Sequence, residues 1–435
     1  MRLWYFLIAM FSTAPCFAAP GDEFWDDRFD ALAVEGEVWA ISVMGSDAYV
    51  GGQFARAGNV EASNIARWDG EKYWPLGTGV NGSGVRAIAT VGNDLYVAGF
   101  FTQAGGVEAS RIAKWNGRTW LPLGSGVDGG VLALEVADSE LYIGGHFGSA
   151  GGIPATNIVR WNGSTWLPLG NGVRAIVRGI GGDFDDGQVT ALAIRQSHIF
   201  AGGRITKAGE VASTNVALWD GVKWSELDGV GEFGRGVQAL AWWGDSLYAG
   251  GLFTRAGLAS AARIARWNGG AWAEIGGGLG DTDFAAVLSL AARDHALFVG
   301  GQGYQKSGST NLVKWTGTSW EALGSGVDPD GAVYALALQG NRLYVGGLFS
   351  TVGTRPARNF AIWHIPGRLQ ARQVGETAEI SWAVGNSNAV LEVSNSLTSR
   401  DWKVIDQTPT RLGGQLKVTT SPGSSNHFYR LRIPQ

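Results

Sequence analysis

Leu141-Tyr-Ile-Gly-Gly145-His-Phe147, followed by Asn157-Ile-Val-Arg-Trp161-Asn-Gly163-Ser-Thr-Trp166-Leu-Pro-Leu-Gly170, is one copy of a segment written seven times along the 435 residues. In each copy an apolar stretch ending in Gly-Gly precedes a Trp-turn-Trp hairpin. The anchors of the glycine pair fall at Gly51, Ala98, Gly144, Gly202, Gly250, Gly300 and Gly346, with spacings of 47, 46, 58, 48, 50 and 46 residues. Periods of that length belong to solenoids, propellers or arrays.

Each copy reads as four strands. The first alternates small and branched apolar residues, as in Val38-Trp-Ala-Ile41, Val131-Leu-Ala-Leu134 and Val333-Tyr-Ala-Leu336, which suits a strand buried on both faces. A short turn leads to the Leu-Tyr-Val-Gly-Gly strand. The third strand ends in Trp, and pairs such as Asp69-Gly70, Asn116-Gly117 and Asn268-Gly269 follow it directly. Those dipeptides accept the positive φ of a tight hairpin, so a fourth strand of Trp-x-x-Leu-Gly type returns alongside. The third strands supply Trp68, Trp115, Trp161, Trp219, Trp267, Trp315 and Trp363, and the fourth strands Trp25, Trp74, Trp120, Trp166, Trp224, Trp272 and Trp320. An indole covers roughly 150 to 250 Å² when packed, so these residues are expected in the core.

Seven four-stranded repeats predict an all-β chain whose main body is a seven-bladed β-propeller, because radial closure leaves few free strand edges. The seventh copy stops at its third strand, Phe360-Ala-Ile-Trp363, without a fourth-strand Trp. In two copies that Trp precedes the next Val by 13 residues, Trp224 to Val237 and Trp320 to Val333, and Trp25 precedes Val38 by the same 13. Residues 23 to 29 are therefore expected to complete the last blade as an N-terminal strand.

Residues 1 to 18 carry one charge, at Arg2, then the apolar run Leu3 to Phe11, then Cys16-Phe-Ala18, the pattern of a secretory signal peptide. Its removal takes away the sole cysteine, excluding disulfides, thiolate metal sites and cysteine nucleophiles from the product. The expected organisation is a signal over 1–18, the propeller over 19–366 and a C-terminal β-sandwich over 367–435, where short alternating strands such as Thr377-Ala-Glu-Ile-Ser-Trp382 replace the repeat. The net charge of −4 gives no electrostatic basis for a nucleic-acid partner. No further apolar stretch is long enough for a transmembrane segment, so a secreted, periplasmic or cell-surface monomer is expected.

Candidate site residues are those that break the repeat. The second position of the innermost strand reads Trp39, Arg86, Leu132, Thr190, Gln238, Leu288 and Tyr334 between nearly invariant neighbours. Placed at the mouth of the central channel, Trp39, Arg86, Thr190, Gln238 and Tyr334 would meet a ligand from different blades, unless the position merely drifts without a packing duty. Glu135, where other copies have Ala or Ser, joins them as an inner-strand carboxylate in need of a partner, a water or a cation. Asp183, Asp185 and Asp186 crowd a loop of the long fourth copy, an arrangement that suits calcium or simply solvated turn acids. No cofactor is otherwise indicated. His146, His198, His295, His364 and His427 form no ligand spacing, and no nucleophile elbow is present.

Leu-Tyr-Val-Gly-Gly, Ile-Ala-Arg-Trp-Asp-Gly and Trp-x-x-Leu-Gly resemble the Kelch-type propeller repeat, and more closely the repeats of exported bacterial proteins and of the extracellular part of fungal cortical polarity-marker proteins. The resemblance covers residues 23 to 366. It implies the fold strongly and the function weakly, since such propellers serve as scaffolds, adhesins and a few oxidases. The copper site of galactose oxidase needs a Tyr–Cys crosslink that a chain without Cys cannot build. Trp402 and Phe428-Tyr-Arg-Leu431 are similar to fibronectin-type-III-like modules. Two readings stand: a non-catalytic binding or cell-surface interaction module for a protein or carbohydrate ligand, and a carbohydrate-active enzyme, hydrolase or lyase, at the channel mouth.

Overall fold

The computed structural model describes residues 21–365 except 180–181, 226, 233–235 and 281, and then the stretches 370–374, 377–383, 390–395, 401–412, 415–420 and 428–432. The expected signal over 1–18 lies outside these residues. Among the described residues every regular element is a strand or a short 3₁₀ turn. In the third repeat, Gly130–Ala137, Glu140–His146, Ile158–Trp161 and Trp166–Pro168 pair antiparallel in that order. Five further sheets have the same order, with innermost strands Val34–Met44, Gly84–Val91, Gln188–Arg195, Val237–Trp243 and Ala286–Arg293. The seventh has three strands, Ala332–Gln339, Arg342–Leu348 and Phe360–His364. The chain is a seven-bladed β-propeller.

Blades meet at the repeated glycine. A Cβ built on Gly250 would lie 2.2 Å from Val287 Cγ1 of the next blade, and Gly51, Gly144, Gly202 and Gly300 face Val85, Val189, Val237 and Val333 in the same way. Gly346 faces Val38, so the last contact runs from blade seven to blade one and shuts the ring. Blade two carries Ala98 instead, buried in one apolar cluster with Val131. One missing methyl per blade therefore sets how closely consecutive sheets approach.

The aromatic residues flanking each outer hairpin form the second layer of contact. Ring centroids are 5.3 Å apart for Trp115–Trp120, 4.9 Å for Trp161–Trp166 and 5.0 Å for Trp315–Trp320. The fourth-strand indole also donates to the preceding blade: Trp120 Nε1 to the Leu76 carbonyl at 2.8 Å, Trp224 to Leu169 at 2.9 Å and Trp320 to Gly276 at 2.9 Å. A residue with a large apolar body and one N–H fits both duties, and burial of each indole is worth about 4 to 6 kcal/mol by transferred area. Trp74 does not belong to this set. The hairpin brings the fifth residue after Trp68 into register, and that residue is Tyr73, 2% exposed and 4.9 Å from Trp68. Strand alternation then turns Trp74 outward, 39% exposed, with Lys72 Nζ 4.3 Å from its ring.

A buried Asn stapling neighbouring blades is a further repeated device. Asn64, Asn157, Asn215 and Asn359 all have φ between 61° and 66°. Asn157 Oδ1 accepts from Phe147 N at 2.9 Å while its Nδ2 donates to the Val173 carbonyl at 2.8 Å, satisfying backbone groups in two separate segments. Asn359 makes the equivalent link to Val34, 325 residues away.

Closure involves the expected segment in an unexpected form. Trp25 bridges Trp363, with centroids 5.0 Å apart, and Asp26 N donates to the Ile362 carbonyl at 3.0 Å. Either side of that bridge the chain turns as 3₁₀ helix, Asp22–Phe24 and Asp27–Asp30, so the last blade is completed by a bridge and not by a full strand. The reason lies in side chains that take the local backbone elsewhere. Asp26 Oδ1 accepts from Arg28 N, and the Asp22 carboxylate accepts from Ser325 N and Oγ. Burial opposes the charge on Asp26, yet hydrogen bonds from Arg28 and His364 hold its carboxyl far below the usual range.

Beyond residue 365, Gln370–Val374, Thr377–Ala383, Gln415–Thr420 and Thr410–Leu412 make one sheet, and Lys403–Val404, Val390–Ser394 and Phe428–Arg432 a second. Ile380, Trp382, Val418, Leu391 and Leu431 from the two sheets share one buried cluster, which makes this a small β-sandwich.

Two stability outcomes follow from the packing. Trp25→Ala should lower stability by about 3 to 5 kcal/mol, the usual range for emptying a buried aromatic site, whereas Trp74→Ala should change it by no more than about 1 kcal/mol; chemical denaturation of the two variants compares them, and equal losses would contradict the Tyr73 register. Gly250→Ala should destabilise by about 1 to 3 kcal/mol through the Val287 clash. Adding Val287→Ala should recover part of that loss, read as a positive coupling in a double-mutant cycle.

Candidate functional site

Every innermost strand is bulged at the same place. The register slips between Val38 and Ala40, Val85 and Ala87, Val131 and Ala133, Val189 and Ala191, Val237 and Ala239, Val287 and Ser289, and Val333 and Ala335. The second glycine of each pair makes room for it: a Cβ on Gly145 would stand 2.1 Å from the Gly130 carbonyl oxygen. A bulge leaves one residue unpaired and re-aims its side chain. That residue is Trp39, Arg86, Leu132, Thr190, Gln238, Leu288 or Tyr334, and the seven side chains with Glu37 line a single axial cavity of about 330 Å³.

The polar groups of this mouth fall into two sets. Trp39 Nε1 donates to Glu37 Oε2 at 2.7 Å, and the Arg86 guanidinium lies over the Trp39 ring, 4.8 Å from its centroid. No hydrogen bond or ion pair within the described chain engages the Arg86 N–H groups. Partial desolvation by the neighbouring blades draws the guanidinium pKa down, against the opposing pull of Tyr334 and Glu37, while the side chain itself stays open to solvent. Burial, reinforced by Glu37, raises the Tyr334 phenol, so it stands as a neutral hydroxyl at physiological pH. Across the mouth, Thr190 Oγ1 donates to the Val237 carbonyl of the next blade at 2.6 Å and is thereby occupied. Leu132 and Leu288 supply apolar wall.

A second axial space of about 250 Å³ is bounded by the following residues of the innermost strands, among them Ala40, Ala87, Ala133 and Ser289. The two spaces share Leu132, Thr190 and Tyr334 as walls. The isoleucines and leucines two positions beyond the bulge pack toward the neighbouring blade, as Ile41 and Ile88 do against Gly346 and Gly51.

The structure thus gathers Trp39, Arg86, Thr190, Gln238 and Tyr334 from five blades. It does not bring Glu135 to them. Glu135 sits further down its strand opposite Tyr142, in the slot where Ala89 and Ala193 enter the apolar clusters between blades. Burial there pushes its carboxyl up to about 7. Sequence reading also passed over Glu37, whose signal is slight: an acid just before the Val where other copies have Gly, Gln or Ala.

The acidic insertion folds as a hairpin, Ile176–Gly179 against Gly182–Asp185. Asp185 Oδ1 accepts from Ala175 N at 3.0 Å and Gly187 N at 2.9 Å, and Asp186 pairs with Arg204. Both are committed to organising the turn. The side chain of Asp183 lies outside the described residues, and among those described no group of three His, Cys, Asp or Glu is placed to hold a metal ion. Asp328 acts likewise, capping Ser350 N and Thr351 N. His146 Nδ1 meets the Gly187 carbonyl at 2.7 Å, rooting the hairpin beside the mouth.

No protein-family model and no curated protein matches the sequence. Solved structures similar to this chain include the β-propeller domain of the Trilobed protease from Pyrococcus furiosus, 10% identical with a TM-score of 0.44 over 76% of this chain and 95% of that one. The WD40 β-propeller domain of Doa1 is 10% identical with a TM-score of 0.46 over 76% and 94%. A GH74 enzyme from Niastella koreensis is 14% identical with a TM-score of 0.44 over 93% and 72%. What makes this chain a propeller is its own strand pairing and blade contacts.

Glu135 gives the region a pH signature. Its folded-state carboxyl holds the proton to about 7 instead of 4.5, so the folded chain binds more protons in that window and stability declines as pH rises through it. Glu135→Gln should match the wild type near pH 5 and exceed it by about 1 to 3 kcal/mol at pH 8. Thermal unfolding at both pH values reads the difference, and a variant less stable at pH 8 would contradict this account.

Proposed function

We propose that the protein is an exported, non-catalytic binding module of Kelch-like type whose ligand enters the mouth of the axial channel. The observation that carries this reading is the bulge: seven blades each turn one side chain toward a single cavity, and five of these are polar or aromatic residues of differing chemistry on an otherwise uniform scaffold. A cavity of this size in which polar groups converge beside an aromatic ring and two leucines has the dimensions of a small-ligand site. Glu37 is the single carboxylate among the described residues that line it. Glycosidic hydrolysis uses two flanking carboxylates, so the mouth supports binding better than a carbohydrate-active enzyme.

The apolar run over residues 3–11 supports export, and among the described residues no helix is long and apolar enough to cross a membrane. In this reading the C-terminal sandwich, similar in its Trp402 and Phe428-Tyr-Arg-Leu431 motifs to fibronectin-type-III modules, spaces or docks the propeller. Arg430 Nε donates to the buried Glu392 at 2.8 Å, and its guanidinium stacks 4.4 Å from the Trp402 ring, a pairing that ties those motifs together.

A screen of the purified chain against soluble glycans, peptides and small metabolites tests the proposal. Any bound ligand should lose at least about tenfold in affinity on Trp39→Ala or Tyr334→Ala, in line with truncation of central aromatic contacts, with folding unchanged by circular dichroism. Turnover of a hit by the wild type, or binding indifferent to both substitutions, would overturn it.

A further inference from the structure

Two opposite charges stand in the axial mouth without neutralising each other. Arg86 and Glu37 both line the cavity, and Glu37 is near enough to act on the Arg86 charge. No ion pair joins them among the described residues. Trp39 holds both: its Nε1 donates to Glu37 Oε2 at 2.7 Å, and the Arg86 guanidinium lies over the ring, 4.8 Å from the centroid. An indole N–H donates from the edge of the ring and a cation rests on its face. One side chain therefore fixes an acid at its edge and a base on its face, close together and without direct contact.

Each group keeps unused capacity. Glu37 Oε1 and the Arg86 N–H fork have no partner in the described chain, and the Tyr334 hydroxyl and Gln238 amide on the same cavity wall are likewise unengaged. A guanidinium fork matches a carboxylate through two parallel hydrogen bonds, and a carboxylate oxygen accepts from an ammonium. A simple anion would gain Arg86 and face the charge of Glu37. A simple cation would gain Glu37 and face Arg86. A molecule that carries both charges meets a partner at each.

Resting on the reading of the mouth as a ligand site, we infer that it takes a free α-amino acid as its zwitterion, with the carboxylate on Arg86 and the ammonium on Glu37. The two charges of an α-amino acid flank one carbon, which suits two groups held on a single ring; the termini of a peptide are separated by at least one further residue. Arg86 stays open to solvent, so each charge contact is worth less than in a closed site.

Isothermal titration of the purified chain with glycine, L-leucine, L-phenylalanine and L-glutamine tests this. At least one should bind. Its N-acetyl derivative, which lacks the ammonium, and its amide, which lacks the carboxylate, should each bind about tenfold more weakly, the lower end for losing a hydrogen-bonded charge. Acetate, D-galacturonate and methylammonium, with one charge each, should also bind more weakly than the amino acid. Glu37→Gln keeps an acceptor for the Trp39 indole and removes the charge; it should weaken the amino acid about tenfold and leave the N-acetyl derivative unaffected. Arg86→Gln should weaken the amino acid and its N-acetyl derivative alike and leave the amide unaffected. Circular dichroism reports the folding of each variant, and if either fails to fold, the comparison of derivatives on the wild type decides. Equal affinity for the amino acid, its N-acetyl derivative and its amide overturns the inference, as does binding indifferent to both substitutions. So does tighter binding of galacturonate or of leucyl-leucine with loss on Trp39→Ala, which would leave the mouth as a ligand site of another kind. No heat from any amino acid, with a hit from the wider panel that Trp39→Ala abolishes, has the same meaning, and no hit at all would remove both.

Discussion

The propeller depends on a steric vacancy repeated around its axis: the second strand of each blade lacks a Cβ where the valine of the next blade presses in. Because the clash distance is nearly the same at Gly51, Gly144, Gly202, Gly250, Gly300 and Gly346, every pair of sheets settles at a similar separation and tilt. Similar steps around an axis close after a set number, and here that number is seven. Ala98 marks the tolerance of the arrangement, since one methyl is absorbed at a single interface within its apolar cluster. The outer aromatic pairs and the buried asparagines then fasten sheets that the axis has already positioned.

The same glycine pair prepares the site. Its second member lets the innermost strand bulge, and the bulged residue is freed from the ladder. Its neighbours along that strand are constrained by the sheets on either side, so one position per blade is left to vary in chemistry. Trp39, Arg86, Thr190, Gln238 and Tyr334 differ there, with Thr190 alone of the five donating to the next blade's backbone. A rigid ring with one adjustable tooth per blade can present aromatic, cationic, amide and hydroxyl groups to one point at no expense to its stability.

Much of this is legible in the residues themselves, and the exceptions have physical causes. The period, the strand order and the partnership of Trp25 with Trp363 follow from spacing alone. Spacing does not say that Trp25 meets its partner as a single bridged residue, because Asp26 captures the Arg28 amide within the segment and Asp22 ties its start to Ser325. Counting tryptophans assigns Trp74 to the core, but the hairpin counts five residues from Trp68 and finds Tyr73. The Asn staples are written in the sequence just ahead of the third strand, yet Arg111 and Arg263 interrupt the series and hide it. Glu135 stands out as a departure from Ala or Ser, though nothing in one dimension says that its strand carries it past the mouth. The acidic insertion reads more simply as turn acids than as a cation site, and the amides that donate to Asp185 are contacts that composition alone does not reveal.

The bridge between Trp25 and Trp363 also orders events in time. The stapling strand pair is 338 residues apart, so a nascent chain emerging from its N-terminus stacks blade upon blade as an open arc whose two end sheets stay unsatisfied. Until Phe360–His364 arrives, the rings of Trp25, Phe29 and Tyr73 have no Trp363 or Phe360 to rest on, and the arc keeps an unpaired edge at each end. No blade can seal the circle before the final one is delivered. A circular permutant that begins after residue 30 and carries the Trp25 segment behind His364 would turn the slowest, most distant contact into a local one.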